Sequence, residues 1–490
     1  GGGPAGSVCA YYMAAAGLRV ALAEKQRYPH DRVCGDIVAP PAHPIMAEMG
    51  VLQELLRDGI AKWLTSAGNV SPSGVNYIAD VVTAQDLAVQ RIVLDHRLVT
   101  AAYMQGVDVL TLEVTGLEQE SGTGTNGYWS VQCRRSAEEE VAAAEEEPLN
   151  AALQARHADV AGRVLRCRVV VAADGASSRL AAAQGLVEGP PNAVCLRSFA
   201  KPGTHNCQAD FVIFHPLQLR PGFVVITREL EDYLSVCCFV MPGGKTEQSD
   251  LFNTYTDLIE NDPHIRAVLG PDVVLTPIQS APMRIGCLPR LYRDQFLVVG
   301  EAAGHVDPMA GQGVQYAMIG ARLAARTIAE AFARGDVSAR TLKKYQARVD
   351  REFGWDLWIA SKLLGRLLHR FPRVLDAMAA VVKRNGDELI RLWRTTRSGT
   401  MSKLFFLRPD ILFMLAVEFV YLFLQAKLSA VARGTRARAE QRIASMLPAP
   451  AAPDRRREPA PGDSLPVPVP PQGPSDGRPP QTDGWSPLHR

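Results

Sequence analysis

Three features of the amino-acid sequence predict an α/β fold. A glycine-rich turn at residues 1–6 is followed by a helical pattern and then by an apolar strand pattern at 18–24. Two further buried-strand patterns, at 169–173 and 296–299, each run into a glycine-containing turn. From 340 to 446 almost every segment has helical periodicity. We therefore expect a Rossmann-like domain interleaved with a mixed-sheet domain, followed by a C-terminal helical region.

The composition is that of a globular protein. Of the 490 residues, 47% are apolar and 21% are charged, and the formal net charge is +2. No stretch of 18 or more apolar residues is uninterrupted, so a typical membrane-spanning helix is not expected. The nine cysteines contain no CxxC pair, which argues against a disulfide framework and against a zinc site. We expect no metal and a reducing compartment.

The same patterns predict the domain organisation. The acidic segment at about 134–163 is too charged to require a packed position, and the proline-rich end has no basis for a core. That end is either a solvated spacer or a ligand for a partner domain. The expected parts are a dinucleotide-binding core at 1–190 with strand inserts and the acidic insertion, a substrate-binding sheet domain at 191–290, the last part of the core at 291–339, a helical membrane-associated cap at 340–446 and a disordered tail at 447–490.

The first motif, GGGPAG, fits the dinucleotide-binding pattern GxGxxG. Gly1 and Gly3 would let the backbone approach a pyrophosphate, and Gly6 would let the following helix pack closely on a strand. Glu24 ends the next strand and would accept hydrogen bonds from ribose hydroxyls, which favours FAD or NAD over a 2′-phosphorylated nucleotide. The strand that usually precedes such a turn is missing, so we expect the sequence to be a fragment.

Two later motifs complete a set of three. Asp174 and Gly175 end one buried strand, and Gly300 and Glu301 follow another. A long helical pattern then begins after a second glycine pair, Gly311 and Gly313.

In their order and spacing the three motifs resemble those of FAD enzymes with the para-hydroxybenzoate hydroxylase type of fold. The resemblance implies that the acid of the late motif contacts the flavin ribityl chain; here Glu301 replaces the usual Asp. It also implies that the helix opened by Gly311 and Gly313 directs its N-terminus at the pyrimidine edge of the flavin, where a helix dipole stabilises negative charge.

A finer resemblance is to the geranylgeranyl reductases of this group. The segment RVCGD at 32–36 is similar to their cysteine-glycine-aspartate loop, which implies that Cys34 lies beside the flavin. Arg91 matches an arginine near the flavin phosphates and ribityl chain. The segment PGFVVIT at 221–227 departs from the family because it lacks the Trp and Phe-Pro of the prenyl-binding segment, which leaves the substrate open.

The resemblance implies an FAD-dependent oxidoreductase that reduces C=C bonds of a lipophilic prenyl chain. An isolated alkene is not polarised by a carbonyl, so a proton donor is required near the flavin. Cys34 is the first candidate catalytic residue, followed by Asp36 and His305; as an alternative, Cys34 is a small packing residue. NADPH or a small redox protein would supply electrons. The alternatives are an FAD-dependent monooxygenase, acting on an aromatic or lipidic substrate as hydroxylase or epoxidase, and an inactive flavoprotein-like scaffold.

The helical region carries most of the positive charge. Residues 340–445 contain 21 Lys and Arg against 9 Asp and Glu. Within this region the segment 411–424 is apolar except for Glu418, which is typical of a helix in a bilayer interface. A helical domain with a solvated basic face is the alternative. We expect peripheral membrane contact in the cytoplasm or a plastid and, without aromatic stacking platforms, no nucleic-acid binding.

Overall fold

Strands and helices alternate over the first 340 residues of the computed structural model, and helices follow. The described residues are 1–81, 85–120, 127–135, 149, 164–219, 221–241, 248–365, 370–385, 396, 399 and 401–446. The predicted acidic insertion falls almost wholly outside these ranges and the predicted tail entirely so. The predicted α/β class is confirmed.

The helices and strands are numbered here in chain order. The helices are α1 (Pro4–Ala15), α2 (His43–Glu48), α3 (Val51–Arg57), α4 (Arg91–Met104), α5 (Arg179–Ala183), α6 (Gln248–Asn261), α7 (Pro263–Leu269), α8 (Val314–Ala333), α9 (Ala339–Val349), α10 (Trp355–Ile359), α11 (Arg373–Asn385) and α12 (Pro409–Met446). The strands are β1 (Ala21–Glu24), β2 (Ile37–Val38), β3 (Lys62–Trp63), β4 (Ser66–Val70), β5 (Asn76–Asp80), β6 (Leu87–Ala88), β7 (Asp108–Glu120), β8 (Tyr128–Arg135), β9 (Leu165–Cys167), β10 (Val170–Ala172), β11 (Ala193–Ala200), β12 (Phe211–Phe214), β13 (Gly222–Arg228), β14 (Leu234–Val240), β15 (Gln279–Met283), β16 (Tyr292–Arg293) and β17 (Phe296–Val298).

Two sheets and three helices form the nucleotide-binding part. One sheet has the order β1-β7-β8-β9, with β1 parallel to β7, and another has the order β10-β17-β16, with β10 parallel to β17. Helix α1 packs against α4 and α8. Its first residue is Pro4, which is suited to that position because the first helical N–H has no intrahelical acceptor.

A seven-stranded sheet lies beside this part, in the order β15-β11-β14-β13-β12-β4-β5. Strands β4 and β5 come from within the predicted first segment at 1–190, so the sheet recruits strands from both sides of the predicted boundary at 191. One face packs against α6 and α7 through an apolar cluster that includes Leu258 and Ile265. The other face is also apolar, as the near-continuous apolar runs of β13 and β14 indicate.

The C-terminal helices dock on the sheet and on α8. Asp376 in α11 accepts hydrogen bonds from the Ser71 hydroxyl at 2.6 Å and from the Ser73 hydroxyl and backbone N–H at 2.8 Å each, at the β4–β5 turn. The chain divides into a compact unit, Gly1–Lys427, and a second unit from Leu428, described only to Met446. Among the described helices, none has a stretch long and apolar enough to cross a bilayer.

Candidate active site

The glycine-rich turn is closely packed at Gly1, Gly2 and Gly6 and open at Gly3. A Cβ on Gly6 would lie 1.8 Å from the carbonyl oxygen of Gly1, and one on Gly1 would lie 2.4 Å from that of Ala173. At Gly3 the nearest atoms to a Cβ, the Arg91 Nη2 and the Asp95 Oδ2, are both 3.8 Å away. The turn therefore packs on the end of β10 and leaves room at the start of α1, where a helix N-terminus favours a phosphate.

Glu24 ties this turn to the end of β1. Its side chain is only 3% exposed, and its Oε2 accepts the backbone N–H of Gly2 at 2.7 Å. Its Oε1 accepts the N–H of Gln26 at 3.1 Å and lies 3.5 Å from the Arg32 guanidinium. The acid thus occupies the predicted position at the carboxyl end of the strand.

Arg91 places a positive charge opposite the open side of the turn. It is the first residue of α4, and it donates two hydrogen bonds to Asp95, one turn along, at 2.8 and 2.6 Å. Burial disfavours the charged guanidinium, but Asp95 outweighs it and raises the pKa of Arg91. The bidentate pair fixes the orientation of a permanent cation that lies within reach of a phosphate bound at Gly3.

The middle and late motifs meet the first one. A Cβ on Gly300 would lie 2.5 Å from the Ala5 Cβ in α1, so the late motif packs directly on the first helix. Asp174 follows β10 and accepts the hydroxyl of Ser178, the N-cap of α5, at 2.5 Å, and Gly175 beside it has a positive φ of 81°. Burial raises the pKa of Glu301 to about 7, with Arg91 as the largest opposing influence. All three predicted motifs therefore border one region.

The loop at 32–36 joins this region to the seven-stranded sheet. Asp36 has a positive φ of 55° and is 1% exposed. Its Oδ1 accepts the backbone N–H of Arg91 at 3.1 Å, and its Oδ2 lies 3.3 Å from Nη1 of Arg197 in β11. Burial, only partly offset by Arg197, raises the pKa of Asp36 to about 6. The carboxyl group can therefore hold or release a proton near neutral pH.

Cys34 lies two residues before this aspartate. Its carbonyl oxygen accepts the Cys237 thiol at 3.1 Å, which holds the loop on β14. Burial, reinforced by the charge of Asp36, raises the pKa of the Cys34 thiol to about 11. The thiol consequently keeps its proton at neutral pH. All nine cysteines of the chain are free.

Two further charged residues of this cluster were not predicted from the sequence. Arg197 is 1% exposed and donates to the Arg32 carbonyl at 3.1 Å, to Gln279 at 2.7 Å and to the Asp31 carboxylate. Glu229 follows β13; its Oε2 accepts the Gln90 amide at 2.8 Å, and burial followed by the charge of Asp36 raises its pKa. In the sequence, each is a charged residue within or just after a strand that is predicted to be buried. Burying a charge without a partner is unfavourable, so this pattern could have indicated a buried ion pair or hydrogen bond.

His305 lies in different surroundings. Its ring is fully buried, 5.0 Å from the Phe353 ring, and a Cβ on Gly320 of α8 would lie 2.6 Å from its Nδ1. Burial lowers the pKa of His305 to about 3, so the ring is neutral. The neighbours of His305 thus belong to α8 and to the segment before α10, whereas Cys34 and Asp36 lie against α4 and β14. Its role as a proton donor stays a prediction.

Gly311 and Gly313 lie in a loop that faces the same sheet. Gly311 has a φ of 65°, and its Cβ position is 3.1 Å from Phe239 and 3.2 Å from Phe223. The Cβ position of Gly35 is 3.6 Å from the same Phe239 ring. Gly313 is the N-cap of α8. The loops at 34–36 and 307–313 therefore border the same apolar face of the seven-stranded sheet. This face, which carries Phe223 and Phe239, is the apolar wall of the site. Within the described ranges, no cluster of three or more His, Cys, Asp or Glu is arranged for a metal ion.

Comparison with known proteins identifies the ligand of this region. Residues 1–357 match the family model described as "FAD binding domain". The chain is 36% identical over 423 residues to "Conditioned medium factor receptor 1" of Dictyostelium discoideum, covering 84% of this chain and 78% of that protein. It is 28% identical to "Digeranylgeranylglycerophospholipid reductase 1" of Methanopyrus kandleri, covering 72% and 85%.

A solved structure has the same fold. A geranylgeranyl bacteriochlorophyll reductase-like protein from Thermoplasma acidophilum aligns with a TM-score of 0.61 at 17% identity, covering 78% of this chain and 89% of that one. The open side of the turn at Gly3, the cation of Arg91 and the convergence of the three motifs fit a bound dinucleotide, so the prediction of FAD is confirmed. The chain belongs to the FAD-binding-domain family and is an FAD-dependent oxidoreductase similar to the geranylgeranyl reductases.

Proposed function

We propose that the protein reduces isolated C=C bonds of a prenyl chain of the geranylgeranyl type, in isoprenoid or lipid metabolism. The observation that supports this most is the group of proton-bearing side chains between the FAD site and the sheet. Cys34, Asp36 and Glu229 each have a raised pKa, so each retains its proton to a higher pH than the free side chain does. Reduction of an unpolarised alkene needs such a donor.

The wall that faces these groups suits an apolar substrate. Phe223 and Phe239 stack with ring centroids 5.2 Å apart. Phe211, Ile213 and Val225 extend the same apolar cluster, which reaches the cysteine loop through Val33. A prenyl chain lying against this wall would gain roughly 0.8 kcal/mol per buried methylene.

The chain's own residues have distinct tasks in this reaction. FAD, when bound and reduced, would supply the hydride. Arg91 and the start of α1 would hold the phosphates, and Glu24 would bind the ribose. Arg197 keeps Asp36 in position and stabilises the carboxylate that remains when its proton leaves. Cys34 or Asp36 delivers the proton to the alkene carbon that does not receive hydride. NADPH or a small redox protein is the proposed electron donor.

We further propose that the substrate is taken from a membrane surface. Large apolar side chains are exposed along one side of α12, with Phe413 at 70%, Val417 and Val420 at 54% and Leu424 at 53%. Their spacing of three to four residues puts them on one face. Trp355 and Trp358 of α10 are also exposed, and indole rings favour the bilayer interface. Lys427, with its ammonium 5.0 Å from the Phe423 ring, supplies a cation at that end.

The experiment that tests the reaction is a single-turnover assay. Protein with its FAD chemically reduced under anaerobic conditions is mixed with geranylgeranyl diphosphate, and the product is analysed by mass spectrometry. We expect mass gains in steps of two hydrogens. In D2O two deuterium atoms should enter per reduced bond, because the flavin N5 hydrogen and the thiol and carboxyl protons all come from or exchange with solvent.

A matched reaction in air discriminates the alternative. Gain of one oxygen atom by the substrate would identify a monooxygenase. Unchanged prenyl substrate in both reactions, with stoichiometric FAD bound, would refute prenyl reduction and leave the FAD assignment intact. Bleaching of the flavin by NADPH in a stopped-flow experiment tests the electron donor.

A further inference from the structure

A buried ion pair connects the C-terminal segment to the loop before α8. The Lys403 Nζ lies 2.6 Å from Oδ2 of Asp307, and the two side chains are 1% and 0% exposed. The same ammonium lies 3.4 Å from the Tyr316 hydroxyl in the first turn of α8. Lys403 begins a short 3-10 helix that directly precedes α12. Residues 96 positions apart thus share one buried charge pair.

Asp307 organises the loop that it begins. Its backbone N–H donates to the Gln312 carbonyl at 2.9 Å, and its carbonyl accepts the Gly311 N–H at 2.9 Å. Its Oδ1 accepts the Met309 N–H at 2.8 Å. The loop is therefore closed on Asp307 by three hydrogen bonds, and Oδ2 is the oxygen that faces Lys403.

This loop borders the FAD site. It continues from the late motif at Gly300, and Gly311 within it contacts the Phe239 ring that Gly35 of the cysteine loop also approaches. It ends at Gly313, the N-cap of α8. A displacement of the loop would therefore move the start of α8 and the wall opposite the cysteine loop.

A second, apolar contact holds the same loop. Met309 packs against a cluster formed by Phe405, Phe406 and Ile411. Gly399 approaches α8 so closely that a Cβ there would lie 2.4 Å from the Tyr316 hydroxyl. The C-terminal segment thus covers the loop by apolar packing, and Lys403 neutralises the charge of the Asp307 carboxylate.

We infer that Lys403 is a positioning residue of the flavin site, which acts through Asp307 to hold the loop 307–313 and the start of α8. Without the ammonium, the Asp307 carboxylate is left buried and uncompensated, a strongly unfavourable arrangement. The carboxylate then takes up a proton, draws in water or turns outward, and each response disturbs the loop. An unneutralised negative charge in this loop also opposes reduction of the flavin. The inference rests on FAD binding and is independent of the proposed substrate.

The test uses the full chain and compares four variants. Lys403→Met removes the charge, Lys403→Arg retains it, and Asp307→Asn combined with Lys403→Met removes both partners. Lys62→Met is a control for the loss of a lysine ion pair elsewhere, because the more exposed Lys62 pairs with Asp210, outside the FAD motifs. The measurements are the FAD dissociation constant of the reconstituted apoprotein, the flavin midpoint potential and the visible flavin spectrum.

We expect Lys403→Met to raise the FAD dissociation constant by about 10-fold or more and to shift the midpoint potential to a more negative value. Lys403→Arg should stay within about 3-fold of the wild type, and the double variant should recover much of the loss. Lys62→Met should lower the melting temperature without changing flavin properties.

Two results would overturn the inference. The first is wild-type FAD affinity, potential and spectrum in Lys403→Met, whatever its melting temperature. The second is a double variant as impaired as Lys403→Met, since that would mean that the Asp307 charge is not what Lys403 controls. If Lys403→Met does not fold, the arginine and double variants decide: flavin properties restored in both support the inference, and altered properties in both refute it.

Discussion

Gly3→Ala should weaken FAD binding while leaving the fold intact. The added methyl has no neighbour closer than 3.8 Å, so the protein itself accommodates it. An alanine at the N-cap costs less than about 1 kcal/mol relative to glycine. The methyl does occupy the open side of the turn, however, and would keep a pyrophosphate away from the first N–H groups of α1.

The size of the effect follows from the hydrogen bonds that would be lost. Pro4 has no N–H, so Ala5 and Gly6 carry the free donors of the first turn. A hydrogen bond to a charged group contributes about 1.5 to 3 kcal/mol. Loss of two such bonds amounts to about 3 to 6 kcal/mol, or a rise of roughly 10²- to 10⁴-fold in the dissociation constant.

The assay is titration of the apoprotein with FAD, followed by flavin fluorescence, together with denaturant unfolding of the apoprotein. Gly6→Ala is the matched comparison: its Cβ would lie 1.8 Å from a backbone oxygen, so it should lose stability as well as FAD binding. Wild-type FAD affinity in Gly3→Ala would refute the placement of the phosphates at this turn. Unfolding of Gly3→Ala would show that protein atoms already occupy the space beside Gly3.

Three further predictions concern the chemistry, the pH dependence and the membrane surface. Cys34→Ser should lower alkene reduction about 10²- to 10⁴-fold in a turnover assay, with FAD content and flavin reduction unchanged, if the thiol donates the proton. Asp36 has a pKa of about 6 when folded against 3.8 as a free side chain, so the stability gained by protonating it is lost as pH rises from about 4 to about 6. Denaturant titrations across this range should show the free energy of unfolding of the wild type falling by about 3 kcal/mol relative to that of Asp36→Asn. Phe413→Asp combined with Val420→Asp should reduce sedimentation with anionic liposomes without lowering the melting temperature, because both side chains are exposed.

Each of these predictions has a contrary outcome. Near-normal turnover of Cys34→Ser would leave Asp36, His305 or a water molecule as donor, and loss of FAD would make Cys34 a packing residue. A constant difference in stability between wild type and Asp36→Asn across the pH range would mean that the carboxyl is not buried as described. Unchanged liposome binding by the double variant would favour a helical region that is simply solvated.

The sequence by itself determined the nucleotide-binding half of this protein. Backbone conformation and close packing impose local requirements, which here are turn glycines, an acid after a strand and helical periodicity. The spacing of these features can therefore be recognised from the sequence alone. For this reason Gly1 and Gly6 are closely packed in the turn, Glu24 ends its strand and Gly313 is the N-cap of α8, while their contacts with FAD stay predictions.

The tertiary structure alone decided which charges meet. Arg197 reaches Asp36 because β11 lies beside the cysteine loop, and Lys403 reaches Asp307 because the segment before α12 folds back over α8. Strands β4 and β5 joined the seven-stranded sheet for the same reason: pairing partners distant in sequence depend on sheet order and register. Local sequence patterns do not specify sheet order. A buried charge is tolerated wherever the fold brings a partner close to it, so the sequence alone does not show which charges pair.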